Sequence, residues 1–119
     1  MSFDPVAALV AYHAALDAHD VDKVETLMVA NATYESAGIG LIEGRDAITS
    51  AMRKYFAGHS DHKAWDDQVE ATGPHSARAQ WQVKATTKAT GKQFHRSGLE
   101  DVTFDDQGLV MTVKVTDGE

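Results

Sequence analysis

The chain has 119 residues, with 11 lysines and arginines against 18 aspartates and glutamates, so its formal net charge is −7. This length predicts one domain, and a composition of 43 % hydrophobic and 24 % charged residues excludes an intrinsically disordered chain. An acidic chain repels phosphate, which argues against nucleic acid as a partner. The absence of cysteine excludes disulfides, thiolate nucleophiles and cysteine metal ligands.

Helical patterns dominate the first half of the chain. Asp4 is followed by proline and predicts the start of a first helix, because aspartate accepts free backbone N–H groups and proline suits the first helical position. Asp20 is expected to cap a second helix in the same way, and the apolar spacing places Met28 on the inner face of that helix. The clearest helical spacing lies in residues 45–57, and Gly58 is expected to end this third helix.

Strand patterns replace the helical ones in the second half. Alternating apolar and polar residues predict long strands separated by turns. Together with a short pair before the third helix, the predicted strands cover residues 33–36, 41–43, 64–72, 77–85, 94–104 and 109–115. Helices followed by a meander of antiparallel strands predict an α+β fold, in which the helices pack on one face of a curved sheet.

Targeting signals and cofactor motifs are not apparent in the sequence. The N-terminus lacks the basic region of a signal peptide, and no run approaches the roughly 18 consecutive apolar residues of a membrane span. We therefore expect a cytoplasmic protein that does not bind membranes. The glycines at positions 38 and 40 do not form a dinucleotide fingerprint, and the histidines at positions 59 and 62 show no converging set of ligands, so neither a cofactor nor a metal is expected.

Four short motifs occur in order along the chain. They are AYHAALDAHD at residues 11–20, NATY at 31–34, EGRDAI at 43–48 and GLEDVTF at 98–104. Together they resemble the nuclear transport factor 2-like superfamily, and within it the ketosteroid isomerase-like and SnoaL-like branch that includes polyketide cyclases. The resemblance implies a single domain over residues 1–119, with a cone-shaped curved antiparallel sheet and three N-terminal helices packed on its concave face.

The same resemblance implies a set of catalytic residues. Steroid isomerases of this branch use an oxyanion-hole tyrosine, a protonated carboxylic acid beside it and an aspartate base. Tyr12 falls at the tyrosine position and Glu100 at the acid position, and both groups would donate hydrogen bonds to an oxygen that develops negative charge. Ser36 occupies the base position, and a serine is no general base at neutral pH. The chain therefore lacks the aspartate base of the steroid isomerases, and we do not expect steroid isomerisation by that route.

His13 is a further candidate, because it follows Tyr12 on the apolar stripe of the first helix and has a pKa suited to acid–base chemistry near neutral pH. Structural interpretations compete for all three residues. Tyr12 fits a packed ring and His13 a hydrogen-bonded core residue, and Glu100 fits a salt bridge with Arg96. The residues expected around the pocket or in the core beneath it are Met28, Ser36, Met52, Phe56, Trp81, Val83, Phe94 and Val102.

These observations favour a small-molecule pocket protein. We expect isomerase, cyclase or dehydratase chemistry by acid–base catalysis on an apolar or aromatic carbonyl compound. The alternative is a non-catalytic ligand-binding or dimeric assembly domain of the same fold. A homodimer through the open face of the sheet is expected in either case, because Val69, Leu99 and Thr103 are predicted to lie on that face.

Overall fold

The computed structural model describes residues 3–117, which form three helices and six strands. In chain order the elements are α1 (Pro5–Asp17), α2 (Val21–Thr26), β1 (Met28–Ser36), β2 (Gly40–Glu43), α3 (Arg45–Gly58), β3 (Lys63–Gly73), β4 (Ser76–Thr87), β5 (Lys92–Phe104) and β6 (Val110–Asp117). The predicted α+β class is confirmed. Within the described range, no helix has the length and apolar character needed to cross a membrane.

Side-chain caps fix the starts of the first two helices. The carboxylate of Asp4 accepts hydrogen bonds from the backbone N–H groups of Val6 and Ala7 at 3.0 and 3.1 Å. The carboxylate of Asp20 accepts one from the N–H of Lys23 at 3.1 Å. Both bonds satisfy donors that the first helical turn leaves without an intrahelical partner. The two aspartates therefore begin helices where the sequence predicts them.

The second helix is shorter than its apolar pattern indicates. The sequence predicts Met28 on the inner face of this helix, but α2 ends at Thr26 and Met28 is the first residue of β1. Contacts with a distant strand end the helix early. The backbone N–H of Val110 donates to the carbonyl of Leu27 at 2.8 Å, and Met28 then pairs with Val110 of β6. Pairing with a distant strand therefore replaces the next helical turn.

The six strands form one curled, unclosed sheet in the order β2-β1-β6-β5-β4-β3. Neighbouring strands are antiparallel except for β1 and β6, which run parallel. The parallel pair arises because the meander from β3 to β6 brings the last strand back beside the first. Helix α1 packs on β3 and β4, and α3 packs on β1 and β2, so the helices cover one face of the sheet.

A β-bulge in β3 changes which residues face the helices. Asp66 pairs with Trp81 and Gln68 pairs with Gln80, so Asp67 is an extra residue without a partner in the strand register. An extra residue reverses the alternation of side chains beyond it. The prediction that Val69 lies on the open face is therefore wrong, because Val69 packs against the core. Before the bulge, Asp66 points to the same side.

The buried core lies between α1 and the inner faces of β4, β5 and β6. Its side chains include Leu9 and Tyr12 of α1 together with Val102 of β5, and all three are fully buried. Opposite them β4 contributes Ala77 and Ala79, whose small side chains leave room for the helix. At the other end of the sheet the helices and strands diverge, and the space between them becomes a cavity.

Candidate functional site

A cavity of about 430 Å³ opens between the sheet, α1 and α3. Its wall is mainly apolar and is interrupted by a few polar and charged side chains, which is the usual composition of a small-molecule site. The wall residues used below are His13, Tyr34, Ser36, Met52, Tyr55, Phe56, His62, Trp65, Asp66, Trp81, Val83, Arg96 and Glu100. The cavity thus combines apolar surface with a small number of groups that carry chemistry.

One group of interacting polar side chains in this wall comprises His13, Asp66 and Glu100. The Nδ1–H of His13 donates to the carboxylate of Asp66, 2.7 Å from Oδ2 and 2.8 Å from Oδ1. The opposite ring nitrogen, Nε2, is hydrogen-bonded to Oε1 of Glu100. All three side chains are largely buried, with exposed fractions of 18 % for His13, 17 % for Asp66 and 8 % for Glu100. We call this group the His13 cluster.

The two carboxyl groups decide the protonation of His13. Burial of the ring favours its neutral form and by itself lowers the pKa. The charge of Glu100 and the hydrogen bonds to Asp66 and Glu100 outweigh burial and raise the pKa of His13 to about 10. His13 is therefore an imidazolium at neutral pH, and both of its ring nitrogens are donors.

Each member of the His13 cluster reaches the cavity through the periodicity of its own element. His13 lies one helical turn from Leu9 and from Leu16, on the buried stripe of α1. Glu100 alternates with outward-facing neighbours, and the adjacent Asp101 instead binds Arg78 at 2.8 Å. Asp66 alternates with Ala64, which also lines the wall.

Asp66 is the functional candidate that the sequence analysis missed. In the sequence it is one of two consecutive aspartates, and the pattern does not show which of them points inward. The structure separates them, because Asp67 is exposed and accepts a hydrogen bond from Nε2 of Gln82 at 2.6 Å. The signal that could have found Asp66 is its period-two spacing from Ala64, before the bulge.

Tyr12 lies outside the cavity wall. Its ring is fully buried in the core and tilted against the ring of His13, with 5.5 Å between the ring centres. Burial, followed by the charge of Glu100 and the nearby Tyr34, raises the pKa of the Tyr12 phenol well above its ordinary value. Among the described residues its hydroxyl has no hydrogen-bond partner. The structure thus joins Glu100 to His13, whereas Tyr12 lies behind them.

The other predicted pocket residues divide into two groups. Those that line the wall are Ser36, Met52, Phe56, Trp81 and Val83. The hydroxyl of Ser36 accepts a hydrogen bond from the N–H of Ile39 at 3.2 Å. Met28 and Val102 belong to the closed core beneath α1, and Phe94 lies at the sheet end with its edge against the ring of His59. None of these three residues lines the cavity wall.

A second polar group in the wall is formed by Tyr55 of α3 and His62, which follows the helix. The Tyr55 hydroxyl and Nδ1 of His62 are 2.8 Å apart. Burial, followed by the neighbouring His19, lowers the pKa of His62 to about 4, so its ring is neutral at pH 7. Burial raises the pKa of Tyr55. The sequence analysis treated both positions as helix and loop residues and missed this Tyr55–His62 pair.

Across residues 3–117, no set of three or more histidine or acidic side chains is arranged to hold a metal ion. A second depression, of about 400 Å³, lies over Asp17, His19 and Asp61. It is polar and open to solvent and lacks an apolar wall.

The curled sheet, the helices on one face and the enclosed apolar cavity define a small pocket protein of the nuclear transport factor 2-like fold. The SnoaL-like domain model matches residues 9–112, and the chain belongs to this family. The resemblance carried by the four sequence motifs is therefore confirmed. No curated protein matches the sequence significantly.

Solved structures share this fold at low sequence identity. A putative polyketide cyclase from Xanthomonas campestris pv. campestris has a TM-score of 0.83 at 17% identity, covering 92% of this chain and 87% of its own. An LEH-like epoxide hydrolase from Mycobacterium tuberculosis has a TM-score of 0.82 at 15% identity, covering 96% and 82%. RV0760c from M. tuberculosis, in complex with estradiol-17beta-hemisuccinate, has a TM-score of 0.81 at 15% identity, covering 93% and 91%. At these identities the likeness shows the fold alone.

Proposed function

We propose that the protein catalyses a proton-transfer reaction of isomerase or cyclase type on an apolar carbonyl compound bound in the cavity. The observation that carries this proposal is the position of the His13 cluster, which places two carboxyl groups and a protonated imidazole in a largely apolar wall. Burying an ionised group costs several kcal/mol, and a well-packed apolar cluster would be at least as stable. Charged groups that interact strongly within a cleft are typical of functional sites.

The roles within the cluster follow from its hydrogen bonds. Glu100 binds His13 through Oε1, which leaves Oε2 to accept a proton from the carbon next to the ligand's carbonyl. That C–H bond breaks, its electron pair forms an enolate, and Glu100 returns the proton to another carbon of the ligand. His13 acts through Glu100 as a positioning residue and a fixed positive charge, and Asp66 orients the ring of His13 from the other side.

The enolate oxygen requires a hydrogen-bond donor. Tyr55 is the candidate in the wall, because it is uncharged at neutral pH and, in the His62 tautomer that carries its hydrogen on Nδ1, its oxygen accepts from His62 and its own hydrogen is left for the enolate. The role of Tyr12 as an oxyanion donor stays a prediction. It requires a shift of the α1 side chains that brings the Tyr12 hydroxyl into the cavity. The proposal of an apolar ligand is supported by RV0760c, which has the same fold and was solved with a steroid ester.

The decisive measurement is turnover of an unsaturated ketosteroid, followed by the ultraviolet absorbance of the conjugated product. Glu100→Gln keeps the shape of the side chain and removes the base, so we expect turnover to fall about 10²–10⁴-fold. Asp66→Asn is expected to lower turnover less, because it acts through His13. The matched control is Asp67→Asn, whose side chain lies on the solvent side of the same strand, and it should leave turnover unchanged.

Two outcomes would contradict the proposal. A folded Glu100→Gln variant with the turnover of the wild type would exclude the carboxyl group as the base. Saturable binding of the ketosteroid without any product would favour the alternative, a non-catalytic ligand-binding domain. Ser36 at the family's base position favours this alternative, because a serine is no general base at neutral pH. Its hydroxyl accepts a hydrogen bond from the backbone of the following turn.

A further inference from the structure

A cationic side chain lies in the cavity wall away from the His13 cluster. Of the wall residues within 3–117, Arg96 is the only lysine or arginine, in a chain whose formal net charge is −7. Arg96 is also exposed to solvent, which places it at the mouth of the cavity, where a ligand that enters can reach it. The mouth therefore offers a positive charge to the ligand.

The register of β5 places Arg96 on the same side of the sheet as Glu100. Arg96 pairs with Val83 of β4, which lines the cavity, and Glu100 pairs with Ala79 of the core. The two residues are four positions apart, so their Cα atoms are separated by about 13 Å along the strand. Gly98 lies halfway between them and has no side chain to divide the space.

The charge of Arg96 acts on the interior of the cavity. Burial raises the pKa of Tyr55, and the positive charge of Arg96 opposes this rise. Because such an effect weakens with distance, the guanidinium lies near the phenol of Tyr55 in the wall. A guanidinium carries five N–H donors in a planar fork that matches a carboxylate. It can therefore bind an anionic group while it keeps contacts within the protein.

We infer that the cavity takes a carbonyl compound that also carries a carboxylate, with the carboxylate bound by Arg96 at the mouth and the carbonyl directed toward Glu100. This inference rests on the proposed function and names its substrate class and the orientation of the substrate. The His13 cluster holds two carboxyl groups against one imidazolium, so it disfavours a further anion, whereas Arg96 attracts one. The two ends of the cavity therefore set the direction in which such a ligand binds.

The test compares two probes of the same shape, a saturated ketosteroid with a carboxylic acid on its D ring and the corresponding primary amide. Isothermal titration calorimetry of the wild type should give tighter binding of the acid. Arg96→Gln removes the charge and should weaken binding of the acid about tenfold, because a hydrogen bond to a charged group contributes that much to affinity. Binding of the amide should stay unchanged. The preference of the wild type for the acid should also decrease as the ionic strength rises.

The matched control is Arg78→Gln, which makes the same change in net charge. Arg78 lies on the opposite face of the sheet, where it binds Asp101 at 2.8 Å, and it does not line the cavity. This variant should keep the preference of the wild type for the acid. An equal loss for both probes in Arg96→Gln would show that the side chain only packs and would overturn the inference. An unchanged preference in Arg96→Gln, or the same reduction in Arg78→Gln, would also overturn it.

Affinity is measured without turnover, so the two proposals fail separately. A preference for the acid that depends on Arg96, with no product from the unsaturated ketosteroid, would retain this ligand class and overturn catalysis. Turnover that depends on Glu100, with equal binding of acid and amide by the wild type, would retain catalysis and overturn this inference. If neither probe binds the wild type, this inference is overturned, and turnover of the unsaturated ketosteroid still decides the proposed function.

Discussion

His13 shows how neighbours can reverse the effect of burial on a single side chain. A buried histidine that has no carboxylate hydrogen-bonded to its ring loses its proton, as His62 does in the same cavity wall, where the pKa is lowered to about 4. His13 is also buried, yet Glu100 and Asp66 raise its pKa to about 10. At pH 7 His13 is therefore positively charged and His62 is neutral, so the cavity wall has one charged side and one neutral side.

The raised pKa predicts a pH-dependent contribution of His13 to stability. The folded protein binds the proton more tightly than the unfolded chain, whose histidine pKa is about 6.5. The contribution is thus fully present below pH 6.5 and is lost as the pH rises from 6.5 through about 10. We expect the free energy of unfolding of the wild type to fall toward that of His13→Gln over this range, measured by denaturant titration at each pH. A difference that stays constant from pH 6 to 10 would contradict the assignment.

At the scale of elements, the turn between β5 and β6 is held by side-chain and backbone geometry together. Asp105 accepts hydrogen bonds from the N–H groups of Gln107 and Leu109, both at 2.9 Å. Gly108 has a φ of +83°, and a Cβ atom there would approach the ring of Phe3 to 2.9 Å. The turn sets the register that brings β6 back to β1, so its conformation matters beyond the hairpin.

Replacing Gly108 by alanine is expected to lower the free energy of unfolding by about 1–2 kcal/mol. A left-handed backbone conformation costs a residue with a Cβ atom that amount, and the approach to Phe3 adds to it. The control is Gly58→Ala at the end of α3, where φ is not positive and no atom lies within 4 Å of the added carbon. Chemical denaturation measures both variants, and equal stabilities of the two would contradict the prediction.

The β-bulge at Asp67 acts at the same scale and links the fold to the site. In a regular strand without a bulge, Asp66 and Val69 would be three positions apart and would face opposite sides of the sheet. With the bulge, Asp66 reaches His13 and Val69 reaches the core. Because Asp67 is accommodated as a bulge, a single strand contributes both to the polar cluster and to the apolar core.

For the whole molecule, a homodimer through the open sheet face stays a prediction. Val69 no longer contributes to this face, whereas Leu99 and Thr103 alternate with the buried Glu100 and Val102 and so lie on it. We expect sedimentation equilibrium to give twice the 12.9 kDa mass of one chain. Leu99→Lys should shift the protein to monomer, because a charge on the face opposes its burial in an interface.

The control for the dimer is Leu41→Lys, since Leu41 is 57 % exposed on the edge strand β2, away from the middle of the sheet. It should leave the mass unchanged. A wild-type protein that sediments as a monomer at high concentration would overturn the prediction, and dissociation by Leu41→Lys alone would move the interface to the sheet edge.

The sequence by itself determined the elements and their order. Asp4 and Asp20 begin their helices as predicted, and the alternation along β4 and β5 identifies the inward residues, Glu100 among them. These features depend on capping and periodicity, which act between residues a few positions apart. The family motifs are also local, and they were sufficient to identify the fold.

Only the tertiary structure decided how distant segments meet. The pairing of β6 with β1 ends α2 before Met28, and the register of β3 against β4 creates the bulge that directs Asp66 toward His13. It also decided that Tyr12 fills the core while Trp81 faces the cavity. Such contacts depend on long-range register and on which space is already occupied, because one extra residue in a strand reverses the direction of every side chain beyond it.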